Sequence, residues 1–353
     1  MVAMGHCWWA TYPLFASTQL AFPALSLATK WVSVFAVLSG FLIYRSAVSA
    51  IKSADGIREY MIRRFFRIYP VYAFCVLLGL VFGQYSGNPN AGSVAYFFSD
   101  LFMLSTLRWP ADFANPPAWS LYVEVVFYVL LPLVLLLVGQ KRIVTFCLAM
   151  IVVMLFADDQ SRFFALWKYF LFGIIASELS PRLPSRLGMA GLVAGFLLVV
   201  VDFGGEKFDW AAAIGLGIKH VDTQTFGLGL GFGLLLAGLP HSKISGRVLS
   251  ILPLQMLGVI SYSVYLIQFF YIYASFPEID LFVRAGSQDL YQHFSTMPPY
   301  STWVLPLLFF PGCLAWGCLL YLLIERPGMI FGRKLVLRLR VAAAERARLN
   351  TGG

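Results

Sequence analysis

Residues 117–138 read PAWSLYVEVVFYVLLPLVLLLV and hold one charged side chain, Glu124. A helix that crosses a bilayer needs about 20 mostly apolar residues, and this stretch meets both requirements. The whole chain is also rich in apolar residues: 59% of its 353 residues are apolar and only 12% are charged. A soluble protein cannot hide so much apolar surface while showing so few charges. The composition therefore excludes a disordered chain and an ordinary soluble enzyme, and it predicts an integral membrane protein.

Ten stretches of the chain have the apolar character of membrane spans. They lie near residues 1–16, 31–50, 66–83, 117–138, 143–157, 163–179, 187–201, 223–239, 251–275 and 302–324. The first is too short for a full crossing, so we expect a piece of about a dozen residues to be missing upstream. We predict an all-α, polytopic integral membrane protein with about ten transmembrane helices.

The charges between these stretches orient the helices. With the N-terminus in the cytoplasm, the cytoplasmic segments hold 19 Lys and Arg residues and the external segments hold 6. Cytoplasmic loops of membrane proteins carry this excess of positive charge. The net charge of +9 then reflects membrane topology, and no nucleic-acid partner is needed to explain it. We predict that both termini are cytoplasmic and that the protein is a multi-pass protein of the cell's inner membrane.

The chain divides into a transmembrane domain, residues 1–325, and a basic tail, residues 326–353. Within the tail, residues 333–349 read RKLVLRLRVAAAERARL, which is basic and amphipathic at helical spacing. Helices of this kind lie on anionic membrane surfaces, so we expect the tail to contact lipid of the cytoplasmic leaflet.

The five cysteines all lie in apolar stretches and show no Cys/His ligand spacing. Free, buried thiols are the expectation for such positions. The sequence therefore predicts no metal site.

From the fourth predicted span onward, three charged groups fall inside the spans. Glu178 is at a span end, where it can reach the interface. Lys168 lies about five residues into the sixth span and can either extend to the interface or serve a function. Glu124 lies about seven residues into the fourth span, roughly 10 Å deep at 1.5 Å per residue. A carboxylate is too short to reach water from that depth, so Glu124 is a candidate functional residue, with a helix-packing hydrogen bond as the alternative.

His6 is the only histidine within a predicted span. A neutral imidazole at pH 7 is a natural general base for an alcohol. If the first helix runs outward, His6 reaches a depth similar to that of Glu124. The two residues could then deprotonate a hydroxyl together, with the carboxylate orienting the ring. The alternative is a core histidine that packing has satisfied.

Four arginines lie at the cytoplasmic end of the third span, and three of them are Arg63, Arg64 and Arg67. They anchor the topology of the span. Arginine clusters also bind phosphates with paired hydrogen bonds. A phosphate-rich cytoplasmic donor, such as a coenzyme A thioester, would suit them.

Six fragments together give the chain a family resemblance. In order, they are His6, the run VFAVLSGFLI at 34–43, the run RRFFRIYP at 63–70, the run PAWSLYVE at 117–124, the run ISYSVYL at 260–266 and the run IERP at 324–327. This pattern resembles the acyltransferase family 3 membrane proteins, which acylate sugars and other hydroxylated acceptors. The run at 117–124 is similar to the family's W-S-L-x-V-E motif and is the most specific of the six.

The resemblance implies a fold of about ten helices, no bound cofactor and an acyl-CoA, commonly acetyl-CoA, as cosubstrate. It implies O-acylation of a carbohydrate or glycolipid acceptor, such as cell-surface polysaccharide or lipopolysaccharide. His6 matches the family's catalytic histidine, and Glu124 is its predicted catalytic partner. The predicted substrate-binding residues share positions near span ends or in the quoted runs: Ser39, Arg63, Arg64, Arg67, Tyr69, Trp119, Ser120, Tyr262, Tyr265 and Gln268. For each aromatic or hydroxyl group, helix packing is the alternative.

The chain departs from the family pattern at two points. The family carries an arginine eleven positions before its histidine, and that position would precede Met1. Many members carry histidine where this chain has Gln268, and glutamine cannot act as an acid or base at neutral pH. Two other functions therefore stay open: a transporter or flippase for a lipid-linked sugar or lipophilic molecule, and a catalytically inactive relative.

Overall fold

The computed structural model describes residues 30–53, 55–81, 94–104, 115, 118–156, 162–204, 223–275 and 301–351. Within these ranges every regular element is helical, which confirms the predicted all-α class. The α-helices are α1 (Lys30–Ala50), α2 (Gly56–Val81), α3 (Val94–Leu101), α4 (Ala118–Val138), α5 (Ile143–Phe156), α6 (Arg162–Leu179), α7 (Ser185–Gly204), α8 (Thr223–Gly238), α9 (Lys243–Leu249), α10 (Leu252–Ser275), α11 (Ser301–Leu320) and α12 (Arg326–Thr351). Short 3₁₀ helices follow α4, α6 and α8, and a π-helix, Tyr321–Glu325, joins α11 to α12.

The predicted spans from the second to the tenth each coincide with a helix, and the first lies outside the described residues. Three of the described helical stretches are long and apolar enough to cross a membrane: Trp31–Ala50, Ala118–Val138 and Phe310–Glu345. The pair Lys243–Leu249 and Leu252–Gln268, bent by 65°, makes a fourth if it counts as one span. The count of ten spans and the cytoplasmic position of both ends stay predictions.

Two helices extend beyond the predicted spans. Helix α2 begins at Gly56, ten residues before the predicted start, because residues 57–65 are good helix formers with no glycine or proline. The tail is helical as predicted, and it continues from α11 through the π-helix.

Helix α3 lies in a segment where the sequence predicted only an external loop. Its eight residues are too few to show a helical period, which is why the pattern gave no signal. The hydroxyls of Tyr72 and Tyr69 on α2 donate hydrogen bonds to the backbone carbonyls of Asp100 and Leu101, the latter at 3.2 Å. These bonds satisfy carbonyls at the end of α3 and fix it to α2.

The described helices belong to two compact units, and unit 1 contains α1, α5 to α9, most of α4 and the first residues of α10. In unit 1, α1 and α6 pack backbone to backbone. A Cβ added to Gly40 would lie 2.8 Å from the Phe170 Cα, and one added to Gly173 would lie 2.7 Å from the Phe41 backbone nitrogen. Small residues at both points allow this approach, as in other membrane helix pairs.

Unit 2 contains α2, α3, α11, the π-helix, α12 and the larger part of α10. Helix α12 packs along α2, where the rings of Phe66 and Phe331 lie 5.1 Å apart. Gly328 allows the contact, since a Cβ there would lie 2.9 Å from the Phe66 carbonyl oxygen. The Arg340 guanidinium pairs with Glu59 at the charged end of α2. This pairing holds the pKa of the Glu59 carboxyl below its usual range.

Candidate active site

Glu124 lies on α4 in unit 1 and is 6% exposed. Two hydroxyls donate to its Oε1 atom: Ser39 of α1 at 3.2 Å and Tyr128 of α4 at 2.5 Å. The predicted residues Ser39 and Glu124 are therefore in direct contact. A buried carboxylate needs such donors, because burial without hydrogen bonds is costly.

Three helices of unit 1 converge at this carboxylate. Ser39 joins α1 to α4, and the neighbouring Gly40 meets the backbone of Phe170 on α6. Phe127, one turn after Glu124 on α4, stacks on Phe170 of α6 with the ring centres 4.5 Å apart. These contacts fix the carboxylate between packed helices, which is the rigidity that a catalytic group requires.

Lys168 is 4% exposed and lies in the turn of α6 that meets Phe127. Its side chain is buried in unit 1, and the two interpretations of Lys168, extension to the interface and a functional role, both stay predictions. Its place in the same helix turn makes it a further polar group of this region. Lys168 is buried because α6 packs on α1 at Phe170, and this packing encloses the helix turn that carries it.

Glu178 is also buried, although the sequence allowed it to reach the interface. It accepts hydrogen bonds from Tyr44, Gln140 and Arg182, with the Gln140 bond at 3.2 Å. Three donors satisfy the carboxylate, so Glu178 joins α1 and α6 as a structural residue.

Two other residues of the W-S-L-x-V-E motif differ in their burial. Ser120 is buried one turn before Glu124 on the same side of α4. Trp119 is half-buried in the first turn of α4 and belongs to unit 2.

Tyr128 is a residue of this region that the sequence reasoning missed. Its signal was the spacing of four residues from Glu124, which places two helical side chains side by side.

The predicted arginines lie on α2 in unit 2, and they differ in their contacts. Arg63 pairs with Glu59 at 3.5 Å and its side chain is 55% exposed. The Arg64 guanidinium lies over the Tyr60 ring, 5.6 Å from its centre. Arg67 is exposed, and within the part of the chain that the structure describes its guanidinium makes no hydrogen bond. Arg67 therefore has hydrogen-bond donors available to a ligand.

The predicted tyrosines of unit 2 use their hydroxyls in packing. Tyr69 donates to the Leu101 carbonyl, and its ring stacks on Phe65 at 4.7 Å. The hydroxyl of Tyr262 on α10 donates to the Ile68 carbonyl at 2.9 Å. Tyr265 is half-buried on the same helix. The packing alternative thus holds for two of these hydroxyls, while a role of the rings in binding stays a prediction.

Gln268 is fully buried on α10, and neither polar atom of its amide has a hydrogen-bond partner in the described structure. Nearby, the Asn115 Nδ2 atom donates to the Leu266 carbonyl at 3.1 Å, while the Asn115 Oδ1 atom has no partner there. Buried amides without hydrogen-bond partners are rare. A polar ligand or a water beside the Gln268 amide would therefore be stabilised.

A third buried glutamate, Glu325 in the π-helix, belongs to the IERP run but was not predicted as a site residue. It is 1% exposed and accepts a hydrogen bond from Ser263 at 2.6 Å. The sequence pattern did not reveal this residue, because a glutamate followed by an arginine at a span end is also typical of an ion pair at the membrane interface.

His6 lies outside the described residues, so its pairing with Glu124 stays a prediction. The thiols of Cys75, Cys147 and Cys313 are buried as expected, and that of Cys318 is partly exposed. No group of three His, Cys, Asp or Glu side chains within the described ranges is arranged to hold a metal ion.

Comparison with known proteins identifies the family. The acyltransferase domain model of acyltransferase family 3 matches residues 1–322. Acyltransferase MdmB of Streptomyces mycarofaciens is 33% identical over 141 residues, which are 37% of this chain and 35% of that protein. The chain thus aligns with about a third of the length of this curated relative, and no solved structure matches. Because the family model covers most of the chain, the protein belongs to acyltransferase family 3.

Proposed function

We propose that the protein is an O-acyltransferase that moves an acyl group, with acetyl as the first candidate, from acyl-CoA to a hydroxyl of a carbohydrate or glycolipid acceptor. The reaction needs no bound cofactor, because a thioester is already activated. The protein would work in the inner membrane, in contact with lipid, on cell-surface or secreted acceptors such as polysaccharide or lipopolysaccharide.

The observation that carries this proposal is the buried Glu124 carboxylate within the family's W-S-L-x-V-E motif. Ser39 and Tyr128 both donate to its Oε1 atom. These hydrogen bonds hold the carboxylate in one position inside the protein. Such a group can orient a histidine ring and stabilise its protonated form.

In the proposed reaction, a ring nitrogen of His6 takes the proton of the acceptor hydroxyl. The acceptor oxygen attacks the thioester carbonyl carbon, and the tetrahedral intermediate then collapses with cleavage of the C–S bond. The proton on the imidazolium passes to the departing thiolate, so the products are an ester and free coenzyme A. Glu124 holds the ring in position throughout, and Ser120 is the neighbouring hydroxyl that we assign to the acceptor.

For the donor, we assign the phosphates of coenzyme A to Arg63, Arg64 and Arg67. The exposed guanidinium of Arg67 supports this assignment, since its planar donors suit phosphate oxygens. Tyr69, Trp119, Tyr262, Tyr265 and Gln268 stay candidates for contacts with the substrates.

The test is transfer from radiolabelled acetyl-CoA by purified protein in lipid nanodiscs, with His6→Ala beside the wild type. We expect the wild type to release coenzyme A and His6→Ala to be inactive while inserting normally into the membrane. The matched control is His241→Ala, because the His241 ring contacts the Ser180 carbonyl and lies outside the proposed machinery. It should keep its activity if the protein remains folded.

Full activity in a well-folded His6→Ala protein would contradict the mechanism. Absence of turnover with acetyl-CoA, longer acyl donors and candidate sugars would contradict the acyl-CoA assignment. It would favour a transporter or an inactive relative instead.

A further inference from the structure

The tail helix α12 packs antiparallel along α2 within unit 2. The Arg340 guanidinium pairs with Glu59 near the start of α2. At the other end of the contact, a Cβ added to Gly328 would lie 3.0 Å from the Cγ atom of Pro70. The contacts move toward the start of α12 as they move toward the end of α2, so the two helices run in opposite directions.

A contact in the middle of this pair places two arginines on the same side of it. A Cβ added to Gly332 would lie 2.8 Å from the Phe66 Cβ atom, so these two positions face each other. Arg67 and Arg333 are the next residues of their helices. Each residue turns a helix by about 100°, and antiparallel helices turn in opposite senses when both are viewed from one end. A step of one residue from the contact therefore brings both arginines to one side, about 3 Å apart along the helix axes.

Both arginines have hydrogen-bond donors available. Arg67 and Arg333 are exposed, and within the described ranges neither guanidinium makes a hydrogen bond or an ion pair. The neighbouring arginines of α2 differ, because Arg63 pairs with a carboxylate and Arg64 lies over an aromatic ring. Positive charges on the same side of a helix pair repel each other, and a bound anion would relieve this repulsion.

A phosphate is the anion that suits this arrangement. Guanidinium groups bind phosphate oxygens with paired, charge-assisted hydrogen bonds. The two arginines belong to helices that meet closely at Gly328 and Gly332, so their backbones are fixed relative to each other before a ligand binds. Less entropy is then lost on binding than with two independent side chains.

Phosphates occur both on lipid headgroups and on coenzyme A, and the other tail charges favour coenzyme A. Lys334 and Arg338 are exposed and, by the same helical geometry, lie on other sides of α12 than Arg333. A lipid surface attracts all exposed basic residues of a segment, so it gives Arg333 no special role. Coenzyme A carries a diphosphate and a separate phosphate monoester, which need more guanidinium donors than Arg67 alone supplies.

We propose that Arg333 of α12 and Arg67 of α2 together bind phosphate of the acyl donor, so that the tail helix forms part of the donor site. This inference rests on the proposed function, because it takes acyl-CoA as the donor. The phosphates of coenzyme A lie at the far end of the molecule from the thioester. Arg333 therefore acts on donor affinity and not on the chemical step.

The test measures coenzyme A binding by calorimetry and acetyl-transfer kinetics on the full chain in nanodiscs of neutral phosphatidylcholine. Arg333→Ala removes a charge-assisted contact, so we expect Kd and the KM for acetyl-CoA to rise about tenfold while kcat stays within about twofold. Arg333→Lys keeps the charge without the paired hydrogen bonds and should recover part of the affinity. Arg338→Ala is the matched control, because it removes an exposed arginine from another side of the same helix. Its Kd should stay within about twofold of the wild-type value.

A donor without these phosphates separates ligand binding from a structural effect. S-acetylpantetheine lacks them, so Arg333→Ala and the wild type should transfer its acetyl group at the same rate. A slower rate in Arg333→Ala with this donor would overturn the inference. An unchanged Kd for coenzyme A in Arg333→Ala, or an equal rise in Arg338→Ala, would also overturn it. If the wild type does not use S-acetylpantetheine, the two Kd comparisons decide.

Nanodiscs with added anionic phosphatidylglycerol distinguish the lipid source of phosphate. If Arg333 binds a lipid headgroup, phosphatidylglycerol should raise the thermal midpoint of the wild type but not that of Arg333→Ala. That result, together with an unchanged Kd for coenzyme A in neutral nanodiscs, would assign Arg333 to lipid and overturn the inference.

The outcomes also separate this inference from the proposed function. Binding of coenzyme A that depends on Arg333, in a protein that transfers no acyl group, would support the inference and overturn the function. Acyl transfer by a protein whose coenzyme A affinity is the same in Arg333→Ala would do the reverse. No binding of coenzyme A by the wild type would overturn both.

Discussion

Glu124 and Glu325 are both buried carboxylates, and each accepts a hydrogen bond from a serine of another helix. Their remaining surroundings differ. Glu124 lies in a regular helix of unit 1 and receives a second hydroxyl from Tyr128 on the same helix. Glu325 lies in a π-helix of unit 2, and its hydrogen bond comes from Ser263 of α10.

The difference lies in the number of hydroxyls that hold each carboxylate and in the helix that carries it. The hydroxyls of Ser39 and Tyr128 fix the geometry of Glu124, which suits the role in orienting a histidine ring that we propose for it. The Ser263 hydroxyl joins Glu325 of the π-helix to α10. We therefore expect loss of Glu124 to lower kcat and loss of Glu325 to weaken the packing of α10 on the π-helix.

The largest expected effect comes from Glu124→Gln. The amide keeps the volume of the side chain but cannot stabilise an imidazolium, so kcat should fall about 100-fold or more with little change in the KM for acetyl-CoA. The measurement is the transfer rate at saturating acetyl-CoA, with Glu345→Gln as the control. An unchanged kcat would reduce Glu124 to a helix-packing residue and remove the contrast with Glu325.

The next effect concerns the packing that supports Ser39. Gly173→Leu forces a side chain into the backbone of α1 at Phe41, and overpacking of this kind costs about 1–3 kcal/mol. The thermal unfolding midpoint should fall by several degrees, and activity should fall with it. Gly246→Leu is the control, because no atom lies within 4 Å of a Cβ at that position. Equal midpoints for the two variants would contradict the close approach of α1 and α6.

A smaller effect is expected from Tyr128→Phe, which removes a hydroxyl that donates to Glu124 and keeps the ring. Ser39 still holds the carboxylate, so kcat should fall about 3–10-fold while the thermal midpoint stays close to that of the wild type. Single-turnover rates at fixed acetyl-CoA would show the change. A rise in KM at constant kcat would assign Tyr128 to donor binding and weaken the comparison.

The smallest effect concerns the ion pair of Glu59 and Arg340, which lies at the exposed end of unit 2. Arg340 lowers the pKa of Glu59, so the pair stabilises the folded state above the ordinary pKa of the carboxyl, and this stabilisation is lost as the pH falls through the lowered pKa. Glu59→Gln should lower the thermal midpoint by no more than about 3 °C at pH 7, because exposed pairs contribute little. The difference should disappear in acid. A difference that grows in acid would contradict the sign.

The sequence predicted much of the Glu124 region, because a charged residue deep in an apolar stretch is conspicuous. It placed Ser39, Ser120 and Glu124 among the functional candidates, and the structure brings Ser39 and Glu124 into contact. It missed Glu325 and left Glu178 at the interface, because both glutamates occur at span ends beside arginines. A charge at a span end has the same local pattern whether it faces solvent or the protein interior.

What the sequence determined by itself is the helical, membrane-suited character of the chain and the position of the helices along it. These follow from local composition and from the length of apolar stretches, which need no knowledge of neighbours. The tertiary structure decided which polar groups are enclosed and by what, as for Lys168 and Glu325. Enclosure depends on which helices pack together, and contacts between residues far apart in the chain set that packing, such as Gly40 against Phe170.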